Sequence, residues 1–399
     1  MKVVTLIGIG IGTLFSFSLN SCGERNLNES FSDYSVQLLD RTLSYFRADS
    51  CSCSMNLFYE TYPNSEEKVL YPVNGDTLKH QKVAYLWATS TIFSGLNAVV
   101  KTTGNSFYKE WLERTMVPIV ECYWDSVRVP KGYQSYPVAF GPDDRYYDDN
   151  TWMGLEYLNL YEWSGNKNYL EKAETIWNFL ENGLDDVLGG GLYWCEQKKY
   201  TKNVCSNAPV AVFSLRLYQH TSQDKYLKAG KELYHWVKHT LRDEDGVYWD
   251  RIDLEGNIDE GKYAYNSGQM LQAASLLYSL TAEEFYLEDA KTLAKSCHDY
   301  FFNIVEENGE TYRLLKNGNV WFAAVMLRGF EELYRMDANP VYIHDYMHTL
   351  SRLWKEGRDS NGFFANNRLG ESSRYEKEDK WLLTQGALVE MYARLSAYK

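Results

Sequence analysis

Apolar positions along the chain recur with helical rather than alternating spacing, and they define two kinds of helix. The first kind is apolar or small at most positions, as in Ala273-Ala274-Ser275-Leu276-Leu277, which predicts a helix buried all round. Such segments cover residues 82–100, 151–163, 208–220, 267–280, 320–335 and 381–396. The second kind is amphipathic, as in Tyr226-Leu227-Lys228-Ala229-Gly230-Lys231-Glu232-Leu233. It covers 106–124, 168–182, 225–241, 286–304 and 342–356, with a leading member near 31–47.

The two kinds alternate through an internal repeat. Four times a buried helix ends in Leu-Tyr, passes a short polar turn and restarts at Tyr: Leu160-Tyr161 to Tyr169, Leu217-Tyr218 to Tyr226, Leu277-Tyr278 to Tyr286, and Leu333-Tyr334 to Tyr342. The offset from Leu to the restarting Tyr is nine residues each time, and Val99 to Tyr108 is a degenerate fifth copy. The restarts are 56 to 61 residues apart, enough for two helices and their connections. A sixth segment of the buried kind, Trp381 to Tyr392, closes the chain. Six inner and six outer helices imply an all-α (α/α)6 barrel, with an open helical solenoid as the alternative.

Connections within a repeat are short, as in Ser164-Gly165-Asn166-Lys167-Asn168, whereas those between repeats are long: 125–150, 183–207, 242–266, 305–319 and 357–380. All the long ones precede inner helices, so they gather at one end of the barrel, and loops of that length point to a working face. They carry Gly-aromatic clusters, Gly191-Leu192-Tyr193-Trp194, Gly246-Val247-Tyr248-Trp249 and Gly362-Phe363-Phe364, which read as small hairpins. Aromatic residues make up 16% of the chain, and a rim of rings suits the C–H faces of sugars. Tyr193, Trp194, Tyr248 and Trp249 fit either that role or simple packing.

The N-terminus adds an address. Lys2, an apolar run from Val3 to Phe17 and Leu19-Asn20-Ser21-Cys22 read as an export signal rather than structure. The ending resembles a lipoprotein signal, which implies a signal peptide over 1–21, lipidation at Cys22, a linker over 22–30 and one catalytic domain over 31–399. Gly23-Glu24-Arg25 lacks an Asp directly after the cysteine, and by the same resemblance this implies an outer-membrane lipoprotein at the cell surface or periplasmic face. No later run is long and apolar enough to span a bilayer, so membrane attachment is expected through the lipid alone.

A formal net charge of −13 argues against nucleic acid and favours a neutral or cationic ligand. The chain is expected to act as a monomer and without a cofactor. Of seven cysteines, Cys195 and Cys205 are the favoured disulfide pair because both fall in one predicted loop, 183–207. No cysteine has zinc spacing, and the pairs His235/His239 and His344/His348 lack a third ligand, so no metal site is expected.

The segment Gly141-Pro142-Asp143-Asp144-Arg145-Tyr146-Tyr147-Asp148-Asp149-Asn150-Thr151-Trp152 leads into the second inner helix. Asp148 and Asp149 stand at its mouth. Glycoside hydrolysis needs one ionised and one protonated carboxyl, and an adjacent pair supplies both: the helix N-terminus favours one anion, whose repulsion raises the pKa of its neighbour. An N-cap explains one Asp equally well but not two.

Tyr147-Asp148-Asp149-Asn150-Thr151-Trp152 resembles the Asp-Asp motif of glycoside hydrolase family 76, the α-1,6-mannanase family. The likeness extends to Gly190-Gly191-Leu192-Tyr193-Trp194, to Tyr200-Thr201-Lys202-Asn203 leading to Asn207, and to Tyr265-Asn266-Ser267-Gly268. It implies a retaining, endo-type attack on mannan, with Asp148 as nucleophile and Asp149 as acid/base. Trp152, Tyr193, Trp194, Asn207, Tyr265, Asn266 and Trp321 are the expected sugar-binding residues. Two departures fall near the expected subsites: Trp321-Phe322-Ala323-Ala324 where the family shows Phe-Lys-Gly, and Ser267 where it commonly has Gln. A non-catalytic glycan-binding lipoprotein is one alternative. Another is a different barrel enzyme of sugars, such as an epimerase, which would rely on histidine, or an unsaturated uronyl hydrolase. His80 is the histidine nearest an inner-helix start.

Overall fold

The computed structural model describes residues 30–48, 57–64, 83–307, 309–370 and 377–398. Cys22 and His80 lie outside the described residues. Twelve main helices alternate between two rings. The outer helices are α1 (Phe31–Tyr45), α3 (Ser106–Trp111, continued by a π turn Leu112–Met116 into Val117–Glu121), α5 (Lys167–Glu181), α7 (Asp224–Leu241), α9 (Glu284–Phe301) and α11 (Val341–Glu356). The inner helices are α2 (Leu86–Thr103), α4 (Tyr147–Ser164), α6 (Val204–Thr221), α8 (Ala264–Thr281), α10 (Val320–Asp337) and α12 (Leu382–Leu395).

Each inner helix packs on the next, and α12 packs back on α2, so the ring closes and the open solenoid is excluded. Glycines permit the closest approaches: a Cβ on Gly268 of α8 would lie 2.3 Å from Met326 Cα of α10, and one on Gly386 of α12 would lie 2.3 Å from Thr91 Oγ1 of α2. The π turn in α3 precedes Pro118, whose missing N–H interrupts the regular helical ladder.

The nine-residue repeat has a backbone cause. In each copy the Tyr of Leu-Tyr offers its carbonyl to the N–H of a left-handed residue four positions on, which ends the inner helix: Gly165, Ser222, Ala282 and Ala338. The restarting Tyr then ties its outer helix to the one before it. Tyr108 donates to Asp40 at 2.7 Å, Tyr226 meets Glu174 at 3.1 Å, and the Tyr286 hydroxyl lies 3.0 Å from His235 Nε2.

Short strands decorate the loop end: β1 (Thr61–Tyr62) pairs with β9 (Lys380–Trp381), β2 (Trp124–Asp125) with β3 (Gly132–Tyr133), β4 (Thr201–Asn203) with β5 (Arg251–Asp253), β5 with β6 (Ile258–Asp259), and β7 (Phe302–Glu307) with β8 (Glu310–Leu315), all antiparallel. The Gly-aromatic clusters are held by single bridges, Leu184 to Leu192, Arg242 to Tyr248 and Arg358 to Phe364, rather than by full strands.

One device anchors these loops. The fourth residue of an inner helix reaches back to the loop before it: Asn150 to both backbone groups of Tyr133, Asn207 to both of Leu192, Gln385 to both of Phe364, and Ser267 to the N–H of Tyr248. Buried peptide groups that no sheet pairs are satisfied in this way. Ser267 is too short to make the second bond that the amides make.

Two expectations are corrected. Cys195 and Cys205 do not pair; with Cys297 they are free thiols among the described residues. α6 begins at Val204, so Cys205 is helical with its thiol on Asp148, while the Cys195 backbone bridges to Tyr146. Helices α4, α6 and α8 also start three or four residues earlier than their apolar pattern, because hydrogen bonds to the loops, not hydrophobic periodicity, hold their first turns.

Below the mouth, the barrel axis carries a buried ion cluster. Arg328 of α10 is bidentate to Glu390 of α12, at 2.7 and 2.8 Å, and lies 3.7 Å from Glu156 of α4, which also accepts from Ser94 and Asn97 of α2. Arg394 binds Glu390 at 2.7 Å and Glu331 at 2.8 Å, so each buried charge has a partner.

Ala282 and Ala338 hold φ of 56° and 52°, where a Cβ is strained. Ala282→Gly and Ala338→Gly are each expected to stabilise the fold by about 1 kcal/mol, less the entropy glycine adds to the unfolded chain. Denaturant midpoints measure this; unchanged or lowered midpoints in both variants contradict the strain argument.

Candidate active site

The loop end of the inner ring opens into a cavity of about 1380 Å³. Its wall follows from helix geometry. The second residue of five inner helices lines it: Trp87 of α2, Asp148 of α4, Cys205 of α6, Tyr265 of α8 and Trp321 of α10. At 100° per residue the fourth position points nearly the opposite way, so in α4, α6 and α8 the second position faces the cavity while the fourth clamps the loop.

Tyr146, not an aspartate, caps α4, and Asp148 and Asp149 occupy its first turn. The simple N-cap explanation of the pair is thereby removed. The approach to that turn is rigid: Tyr147 N–H donates to Trp194 O at 3.0 Å, Glu196 N–H to Arg145 O at 3.0 Å, and the buried Arg145 guanidinium is bidentate to Glu196 at 2.5 and 2.6 Å.

The two carboxyls differ in their surroundings. Asp148 Oδ2 accepts from the Trp194 indole at 3.0 Å and the Cys205 thiol at 3.5 Å, and Oδ1 accepts from Asp149 N–H at 3.0 Å. Burial pushes the Asp148 carboxyl up to about 6, and these donors oppose the rise. Among the described residues no donor serves the Asp149 carboxyl; burial raises it well above the carboxylate range, and the Asp148 charge raises it further. The first proton therefore leaves Asp148 and the second Asp149, so over the intervening pH range one carboxylate and one carboxylic acid stand side by side.

The other walls are aromatic. Tyr265 and Phe322 stack at 3.9 Å, Trp152 meets Trp321 edge-on at 4.7 Å, and Trp87 meets Trp381 edge-on at 5.5 Å. Of the residues expected to bind sugar, Trp152, Trp194, Tyr265 and Trp321 line the cavity. Three do not. Asn207 is fully buried with its amide committed to Leu192 and Asn203, and Asn266 is fully buried with its amide on Asp250. Tyr193 is buried beside the ammonium of Lys202, 4.9 Å from its ring. Ser267 likewise belongs to the loop clamps, and Tyr248 is buried in the core.

Sequence reasoning missed Asp250, Cys205, Trp87 and Trp381 as cavity residues, whereas Phe322 lies in the segment expected near the subsites and lines the cavity. The signal for Cys205 and Trp87 was the register: each lies two residues before the inner helix's fourth position. The histidine pairs sit on the outer helices α7 and α11, and among the described residues no three metal-binding side chains converge.

The family model described as Glycosyl hydrolase family 76 matches residues 47–393, most of the chain. The chain belongs to glycoside hydrolase family 76. A crystal structure of a family 76 glycoside hydrolase from a bovine Bacteroides thetaiotaomicron strain superposes with a TM-score of 0.82 at 30% identity, covering 93% of this chain and 78% of that one. A family 76 mannosidase from Bacteroides thetaiotaomicron VPI-5482 gives 0.80 at 28% identity, covering 92% and 98%. A mannan endo-1,6-α-mannosidase of Candida glabrata is 23% identical over 175 residues, 40% of this chain and 39% of that protein. The chain spans about half or less of the length of the curated relatives it matches.

Activity that needs the Asp148 carboxylate is expected to fall as pH drops through about 6. Trp194→Phe keeps the ring and removes the N–H that favours the ionised form. The acid limb of kcat/KM is then expected to move up by about one pH unit. An unmoved or down-shifted limb removes Trp194 from the control of Asp148.

Proposed function

We propose that this protein is a retaining endo-α-1,6-mannanase anchored by a lipid at Cys22 to the outer membrane and acting as a monomer on neutral mannan chains. The observation that carries the reaction is an adjacent carboxyl pair in one aromatic-walled cavity, Asp148 held by three donors and Asp149 by none among the described residues. The substrate reading is supported by the names of the Bacteroides and Candida relatives.

In the first step a carboxylate oxygen of Asp148 bonds to the anomeric carbon while the glycosidic C–O bond breaks, and the leaving oxygen takes the proton of Asp149. In the second, Asp149 removes a proton from water, the water oxygen bonds to the anomeric carbon, and the bond to Asp148 breaks. Both carboxyls regain their starting states and the anomeric configuration is retained.

Asp148→Asn is expected to abolish turnover of α-1,6-mannan. Asp149→Asn is expected to be very slow on mannan, yet to keep the first step on an aryl mannoside whose leaving group needs no proton. NMR of the first-formed sugar checks the stereochemistry. An inverted product, or near-parental activity in both variants, overturns the assignment. Cys22→Ala is expected to release the chain from the membrane fraction; continued membrane association contradicts the anchor.

A further inference from the structure

The two oxygens of Asp148 are held unequally. Oδ2 accepts from the Trp194 indole N–H at 3.0 Å and from the Cys205 thiol at 3.5 Å. Among the described residues Oδ1 accepts from one other residue, the Asp149 N–H at 3.0 Å. A carboxylate oxygen offers two acceptor sites in its plane, so Oδ2 is filled while Oδ1 keeps one site for a new bond. The stretch from Trp194 to Cys205 supplies both donors to Oδ2, and it is tied to itself by the Trp194 N–H on Thr201 O at 3.2 Å.

Cys205 is fixed in this contact from two sides. It is the second residue of α6, only 4% exposed, and its register is set by the Asn207 clamp on Leu192. The Tyr265 hydroxyl of α8 hydrogen-bonds its sulfur. A sulfur that accepts from Tyr265 has its single proton left for Asp148. Burial, together with the charges of Asp148 and Asp250, pushes the thiol well above its usual range, so it stays protonated and donates.

We propose that Cys205 is a positioning residue whose thiol, with the Trp194 indole, holds Asp148 Oδ2 and leaves Oδ1 to bond to the anomeric carbon. This rests on the reading of Asp148 as nucleophile. In the first step the bond from Oδ1 to the anomeric carbon forms as the glycosidic C–O bond breaks, and the leaving oxygen takes the Asp149 proton. Oδ2 becomes the carbonyl oxygen of the ester. In the second step water gives a proton to Asp149 and its oxygen displaces Oδ1, so the electron pair of that bond returns to the carboxylate. A donor on Oδ2 binds the returning charge more strongly than it binds the neutral ester. Cys205 therefore makes Asp148 a better leaving group in the second step, at the expense of its nucleophilicity in the first.

The test uses an aryl α-1,6-mannobioside whose leaving group needs no proton, so that release of the sugar from Asp148 limits kcat. Cys205→Ala is expected to lower kcat about 3- to 10-fold and KM by a similar factor, leaving kcat/KM nearly unchanged, because only the second step loses the help of the donor. Cys205→Ser keeps a donor and is expected to recover most of the parental kcat. A fall in kcat/KM with KM unchanged, a Ser variant no faster than the Ala variant, or parental kcat in Cys205→Ala overturns the proposal. Should Cys205→Ala not fold, the parent enzyme trapped with a fluorinated α-1,6-mannobiosyl fluoride and crystallised serves instead. The ester is expected through Oδ1, with Oδ2 still facing the Trp194 indole and the Cys205 thiol, and an ester through Oδ2 overturns the proposal. An active parent that forms no adduct on Asp148 overturns the nucleophile reading together with this proposal. An Asp148 adduct with unaffected kinetics in Cys205→Ala overturns the Cys205 role alone.

Discussion

Four of the long loops at the barrel mouth bury peptide groups that no sheet pairs, and the first turn of the following inner helix satisfies them. Asn150, Asn207 and Gln385 each bond both backbone groups of a loop residue, and Ser267 bonds one. A buried N–H or C=O without a partner costs about 1–3 kcal/mol, so these clamps fix both where the loop docks and where the helix begins. They also fix the register of the second position, two residues earlier and almost opposite in direction. Asp148, Cys205 and Tyr265 are placed by that register. The catalytic wall is thus a consequence of how the loops are anchored.

The clamps act locally; the ion cluster on the axis relates the helices to one another. Arg328 connects α10 to α12 through Glu390 and to α4 through Glu156, and it lies 5.8 Å from the ring of Trp152, one turn below Asp148. Removing one member of such a buried set leaves an unpaired charge and costs about 3–5 kcal/mol, whereas replacing the whole set with apolar residues need not. Its effect on the site is to hold the floor beneath the carboxyl pair.

Holding two buried carboxyls in the cavity works against folding at neutral pH, because both pKa values are raised above those of the unfolded chain: the native state bears a buried charge at Asp148 and keeps a proton on Asp149 that the unfolded chain gives up. The donors around Asp148 offset part of that penalty and leave Asp149 without such help. The same asymmetry sets the two carboxyls apart. Stability is given up where the chemistry needs it.

The sequence by itself determined the twelve helices, their inner and outer assignment and the Asp148-Asp149 pair at an inner-helix mouth. Those are local properties, written in a 3.6-residue period and in a Leu-Tyr repeat whose spacing follows from a left-handed helix end. Composition also pointed to an aromatic, sugar-adapted rim. Tertiary structure alone decided which side of each first turn faces the cavity. Asn207, Asn266 and Tyr193 looked like sugar contacts, yet the loops they touch turn them into supports. Cys205 looked like half of a disulfide and stands on Asp148 instead, while Asp250 carried no motif at all. Whether a polar side chain meets ligand or backbone depends on loops brought together from distant parts of the chain, and no local periodicity records that meeting.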